Sequence, residues 1–70
     1  MKLTAHAQAI IYTLSQSDFG SYLGAICSVI GESVETTAFI LEQLKQHGLV
    51  KLSDSGLYTL TKSGFKQLNK

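Results

Sequence analysis

The stretch from Ser33 to Val50, S-V-E-T-T-A-F-I-L-E-Q-L-K-Q-H-G-L-V, constrains this chain more than any other. Val34, Thr37, Ala38, Leu41 and Leu44 recur at three- and four-residue steps and line one face of a helix. Ser33 is placed to cap it, since a hydroxyl there accepts a bond from a free first-turn amide. Glu35 brings negative charge to the positive end of the helix dipole. Gly48 supplies the stop, because glycine takes the left-handed conformation that closes a helix, and Leu49 then folds back on Leu44. Leu49-Val50-Lys51-Leu52 follows at once and reads as a strand.

The remaining segments arrange themselves around that helix. Thr4 caps a first helix running to about Ser15, with Ala7, Ile10, Ile11 and Leu14 as its apolar stripe. Ser15 to Gly20 has the composition of a loop, and Phe19 within it is expected to plug the edge of the core. A second helix is expected to start near Ser21, with Tyr22, Leu23, Ile26, Val29 and Ile30 at helical spacing and Gly31 as its end. Gly24 inside it costs about 1 kcal/mol relative to alanine. Close approach of another helix is the expected reason, with plain local weakness as the alternative. Glu32, with at most one more residue, then separates this helix from the cap at Ser33, the short turn of a helix-turn-helix unit.

After the third helix, Leu49–Leu52 and Leu57–Leu60 flank the polar loop Ser53-Asp54-Ser55-Gly56, which reads as a β-hairpin. Thr61 caps a short last helix with Phe65 and Leu68 on its buried side. Lys62, Lys66 and Lys70 recur on another side of it at four-residue steps. The expected fold is mainly α with a small β-hairpin: three helices, two strands and a fourth helix, one domain over residues 1–70.

Two segments, L-E-Q-L-K-Q-H-G-L-V (41–50) and L-Y-T-L-T-K-S-G-F (57–65), in this order after a helix-turn-helix, resemble the winged-helix DNA-binding domain. The first is similar to that family's recognition-helix ending, the second to the wing's return strand running into the terminal helix. The resemblance implies a winged helix-turn-helix and a small regulator of transcription, of bacterial or phage type. Its third helix and wing would face double-stranded DNA. It places Ser33, Val34, Glu35, Thr36 and Phe39 at positions from which many relatives touch DNA. Relatives usually carry arginine, lysine, serine or glutamine there, which reach phosphates and base edges. This chain has Glu32 and Glu35 nearby and the aromatic Phe39. On a wheel centred on Leu41, Phe39 lies roughly 160° away and points outward, flanked by Glu35, Glu42, Gln43 and Gln46. Two readings stay open: a helix that reads DNA, and an acidic, Phe39-bearing face that meets a protein partner.

The charge distribution sharpens that choice. Net charge is +1 with no arginine. Residues 1–44 set Lys2 against Asp18, Glu32, Glu35 and Glu42, a balance of −3; residues 45–70 set Lys45, Lys51, Lys62, Lys66 and Lys70 against Asp54, a balance of +4. Lys51, Lys62, Lys66 and Lys70 are therefore the cations available to phosphate, and Ser33, Glu35, Thr36 and Phe39 the groups available to bases. His6, Cys27 and His47 have no metal-ligand spacing, and no glycine-rich phosphate loop is present, so neither an enzyme nor a cofactor or metal is expected. His6 reads as a solvent-side residue, His47 as a favourable group at a helix C-terminus, and Cys27 as packing. A chain of this length buries only about 60% of the surface its unfolded form exposes, so a homodimer is expected. No apolar run approaches the roughly 18 residues of a membrane span. M-K-L-T-A-H lacks the apolar core of a signal peptide, so the expected location is cytoplasmic.

Overall fold

Residues 4–17 and 19–68 are described by the computed structural model; Lys2, Asp18 and Lys70 from the charge pattern lie outside the described residues. The elements run α1 (Ala5–Ser15), β1 (Ser21–Tyr22), α2 (Leu23–Ile30), α3 (Val34–Gln46), β2 (Val50–Leu52), β3 (Leu57–Leu60) and α4 (Lys62–Gln67). Several helix boundaries have a local cause. The Thr4 hydroxyl accepts from the Ala7 amide at 3.1 Å and opens α1. The Ser33 hydroxyl accepts from the Thr36 amide at 3.2 Å and opens α3. Gly31, at φ +72°, closes α2.

The end of α3 is a Schellman turn. Gly48 has φ +73°, the Leu49 amide donates to the Leu44 carbonyl at 2.9 Å, and the Gly48 amide donates to the Lys45 carbonyl at 3.0 Å. That turn also seats α4. The Thr61 hydroxyl accepts from the Gly64 amide at 3.1 Å and donates to the Gly48 carbonyl at 2.6 Å.

Ile10, Ile11, Leu14, Ile26, Leu41 and Leu44 fill the interior, joined from the sheet by Val50 and Leu60. The expected stripe of α1 is buried in full. In α3, Thr37, Leu41 and Leu44 are buried and Val34 is exposed. The hydroxyl of Thr37 has no hydrogen-bond partner among the described residues. Helices α2 and α3 are bent by 108° at their short connection, within the range of a helix-turn-helix. Among the described residues no single helix is long and apolar enough to cross a membrane.

Several expectations are corrected. Ser21 and Tyr22 do not begin α2; they form β1, which pairs antiparallel with β3 through Ser21↔Tyr58 and Tyr22↔Leu57. The hairpin is thereby part of a three-stranded sheet in the order β1-β3-β2. The gain is partners for backbone groups on the second edge of β3, which would otherwise stay unpaired.

Phe19 does not plug the core: it is 84% exposed. The next residue, Gly20, at φ +93°, runs so near β3 that a Cβ would stand 2.6 Å from the Tyr58 carbonyl oxygen. Gly24 is not a site of close approach, since a Cβ there would meet nothing within 4 Å; Tyr22 and Val29 from the expected α2 stripe are exposed as well.

Finally, Phe65 and Leu68 do not form the buried side of α4; they are 48% and 40% exposed. The buried residue is Gly64, where a Cβ would collide with the Leu49 carbonyl oxygen and stand 2.6 Å from Leu60 Cδ2. Backbone lies against backbone at this contact, so α4 turns its glycine inward and its aromatic outward.

Candidate nucleic-acid interface

On α3 the residues Glu35, Phe39, Glu42 and Gln46 are all exposed and follow one another at steps of four, three and four. That spacing makes a single stripe along the helix, about 16 Å long at about 1.5 Å per residue. Phe39, 66% exposed, stands outward as the wheel placed it. Thr36 is exposed one turn from the cap.

Polar groups near this stripe are partly committed to each other. The Ser33 hydroxyl accepts from the Thr36 amide and donates to Thr36 Oγ1 at 3.0 Å, so the cap uses its proton. Lys45 Nζ lies 3.2 Å from Glu42 Oε2. The one lysine of α3 is therefore paired with a carboxylate at the surface, and the stripe offers two carboxylates, the Gln46 amide and an aromatic ring.

The other expected cations sit on the C-terminal elements. Lys51 is exposed on β2, in register with Thr59 of β3. Side chains alternate across a sheet, so Lys51, Thr59, Leu57 and Tyr22 share the face opposite the buried pair Val50 and Leu60. Lys62 and Lys66 are exposed one turn apart on α4. Both elements are fixed to the exit of α3, β2 by chain continuity and α4 through the Thr61–Gly48 bond. The arrangement joins an acceptor-rich helix to a lysine-bearing sheet edge and helix.

Two features of the surface around these elements were missed by sequence reasoning. Tyr22 belongs to the outer sheet face, half exposed, with its ring 3.8 Å from where a Cβ on Gly56 would stand; its helix-compatible spacing concealed this. His6 Nε2 lies 3.2 Å from Glu32 Oε2. This pair ties the first turn of α1 to the connection before α3 and has no local signal in the sequence. Among the described residues no group of three or more histidine, cysteine, aspartate or glutamate side chains is arranged to hold a metal ion.

No protein-family model and no curated protein matches this chain. Solved structures do. CouR from Rhodococcus jostii RHA1, bound to p-coumaroyl-CoA, superposes with a TM-score of 0.83 at 16% identity, over 96% of this chain and 51% of CouR. MepR, a transcription regulator of the Staphylococcus aureus multidrug efflux pump MepA, gives a TM-score of 0.83 at 18% identity, over 97% of this chain and 54% of MepR. The O-methyltransferase NcsB1 from neocarzinostatin biosynthesis gives 0.70 at 22% identity, over 86% of this chain and 19% of the enzyme. The chain spans about half the length of CouR and MepR. The likeness shows the fold, a winged helix-turn-helix whose hairpin is the wing.

Proposed function

We propose that this chain is a DNA-binding domain of a transcription regulator, of bacterial or phage type, that binds double-stranded DNA as a homodimer. The observation that carries the reading is the exposed face of α3, set at 108° to α2 and followed directly by a wing strand that bears Lys51. The regulators among the similar structures support it. In this reading α3 enters the major groove with Thr36, Glu35 and Phe39 toward the bases, and Ser33 at its mouth. Lys51, Lys62 and Lys66 supply the contacts to phosphate. The domain works in the cytoplasm, without cofactor, metal or catalysis; His6, Cys27 and His47 belong to three different helices or helix ends. Exposed Tyr12, Phe65 and Leu68 leave apolar surface of the kind that a second copy covers.

A second reading has its own observation: Phe39, two-thirds exposed, suits a protein partner, and the carboxylates of Glu35 and Glu42 beside it repel phosphate. Fluorescence anisotropy on one duplex across a salt series separates the two. For a DNA binder, log affinity falls with log salt by about 0.9 per phosphate contact. The double variant Lys62→Ala/Lys66→Ala binds much more weakly, its slope flattened by about one unit per lysine lost. On a duplex of arbitrary sequence Glu35→Gln keeps or gains affinity, since it removes a charge that repels phosphate. No binding at low salt overturns the proposal in favour of the interaction module. A double variant that binds like wild type, together with loss in Glu35→Gln, overturns the assignment of the lysines. Sedimentation at micromolar concentration tests the dimer, and a single monomeric species rejects it.

A further inference from the structure

We infer that the α3 stripe reads pyrimidine substituents in the major groove, the thymine methyl through Phe39 and the cytosine amine through Glu35, and does not read guanine. This rests on the DNA-binding reading above and narrows what the site recognises. Guanine shows the major groove two acceptors, N7 and O6, and is met by the paired donors of arginine or by lysine. This chain contains no arginine. The lysine of α3 is held 3.2 Å from Glu42, and Lys51, Lys62 and Lys66 lie on β2 and α4. The hydroxyl of Ser33 has spent its proton on Thr36. The carboxylates of Glu35 and Glu42 set against guanine would put acceptor against acceptor, and the single amide nitrogen of Gln46 does not supply the paired donors that arginine brings to N7 and O6.

The same groups fit the pyrimidines. An ionised glutamate accepts and does not donate, which complements the N4 amine of cytosine; an aromatic ring complements the C5 methyl of thymine. Gln46, at the end of the stripe, can pair the adenine opposite a thymine. Glu35 and Phe39 are one turn apart, about 6 Å along the axis at about 1.5 Å per residue. The cytosine and the thymine they meet then lie about two base-pair steps apart, at about 3.4 Å per step. Both side chains are exposed, so each can be replaced without opening the core.

A duplex enriched from a random pool by the wild-type protein is the probe, remade with deoxyuridine for thymidine and, separately, with 7-deazaguanine for guanine. Affinities are measured for wild type, Phe39→Ala and Glu35→Gln, with circular-dichroism melts to confirm that each variant is folded. Loss of one contacted methyl weakens wild type about fourfold, the worth of a buried methyl group. Phe39→Ala binds the thymine and uracil duplexes equally. The 7-deazaguanine duplex binds wild type unchanged, and a fresh selection with Glu35→Gln loses the cytosine preference. If wild type binds uracil and thymine duplexes alike, or loses affinity for 7-deazaguanine, the inference fails while DNA binding stands. If no duplex binds at low salt, both fail and the stripe faces a protein.

Discussion

Where α3 ends and where α4 packs, the backbone passes through glycines that serve different needs. At Gly48 φ is +73° and a Cβ would meet nothing within 4 Å; at Gly64 the backbone is helical and a Cβ would collide with the Leu49 carbonyl. One position needs a conformation and has room to spare. The other needs room and makes no demand on conformation. They flank the same junction, since the Leu49 carbonyl accepts from the Thr61 amide at 3.1 Å. The wing is thus seated by one turn that only a left-handed residue makes and one contact that only a bare backbone permits.

Substitutions separate the two needs. The largest effect belongs to Gly64→Ala, which drives a methyl group into a backbone carbonyl that cannot rotate away. We expect a loss of about 3 kcal/mol, at the top of the range for overpacking, read from thermal melts; a melting temperature like that of wild type would show that α4 does not seat on Leu49. Gly48→Val comes next, with a loss of about 1–3 kcal/mol for a β-branched residue at positive φ. Gly48→Asn should keep more stability than Gly48→Val, because asparagine tolerates the left-handed region. At position 64 asparagine should be no better than alanine. Equal losses for valine and asparagine at position 48 would mean that size, not conformation, rules there too. The smallest effect has the opposite sign: Gly24→Ala, exposed in α2 with open space around it, should gain about 0.5–1 kcal/mol, and a loss would reveal a neighbour at that face.

These glycines also mark how far the sequence could be read. Gly48 was legible because its evidence is local: a periodic helix before it and a leucine after it that returns to Leu44. The caps at Thr4, Ser33 and Thr61 were legible for the same reason, as was the outward Phe39, which needs only the helical angle. Gly64 was not, because its reason lies in Leu49, a residue of another element, and the apolar Phe65 beside it offered a false candidate for burial. Strand β1 escaped for a related cause. Two residues carry no periodicity, and the partner that makes Ser21 a strand residue is Tyr58, far along the chain. At the candidate interface the exposure of Glu35, Thr36 and the lysines followed from pattern. The bond from Ser33 to Thr36 and the pair between His6 and Glu32 came only with the fold.

That short strand has a mechanical consequence. A hairpin tethered at one edge can swing about its base, but β3 is held on both sides, by β2 and by the two residues that run straight into α2. A swing of the wing must therefore drag the start of α2, and through the short connection after Ile30 the start of α3. Wing and α3 are thus coupled through β1 and the short connection after Ile30, and the distance between them depends on the covalent chain and its ladder. Such a body behaves as a gauge of fixed opening. A surface that meets both wing and α3 must match that opening, because moving one of them strains the ladder that ties it to the other.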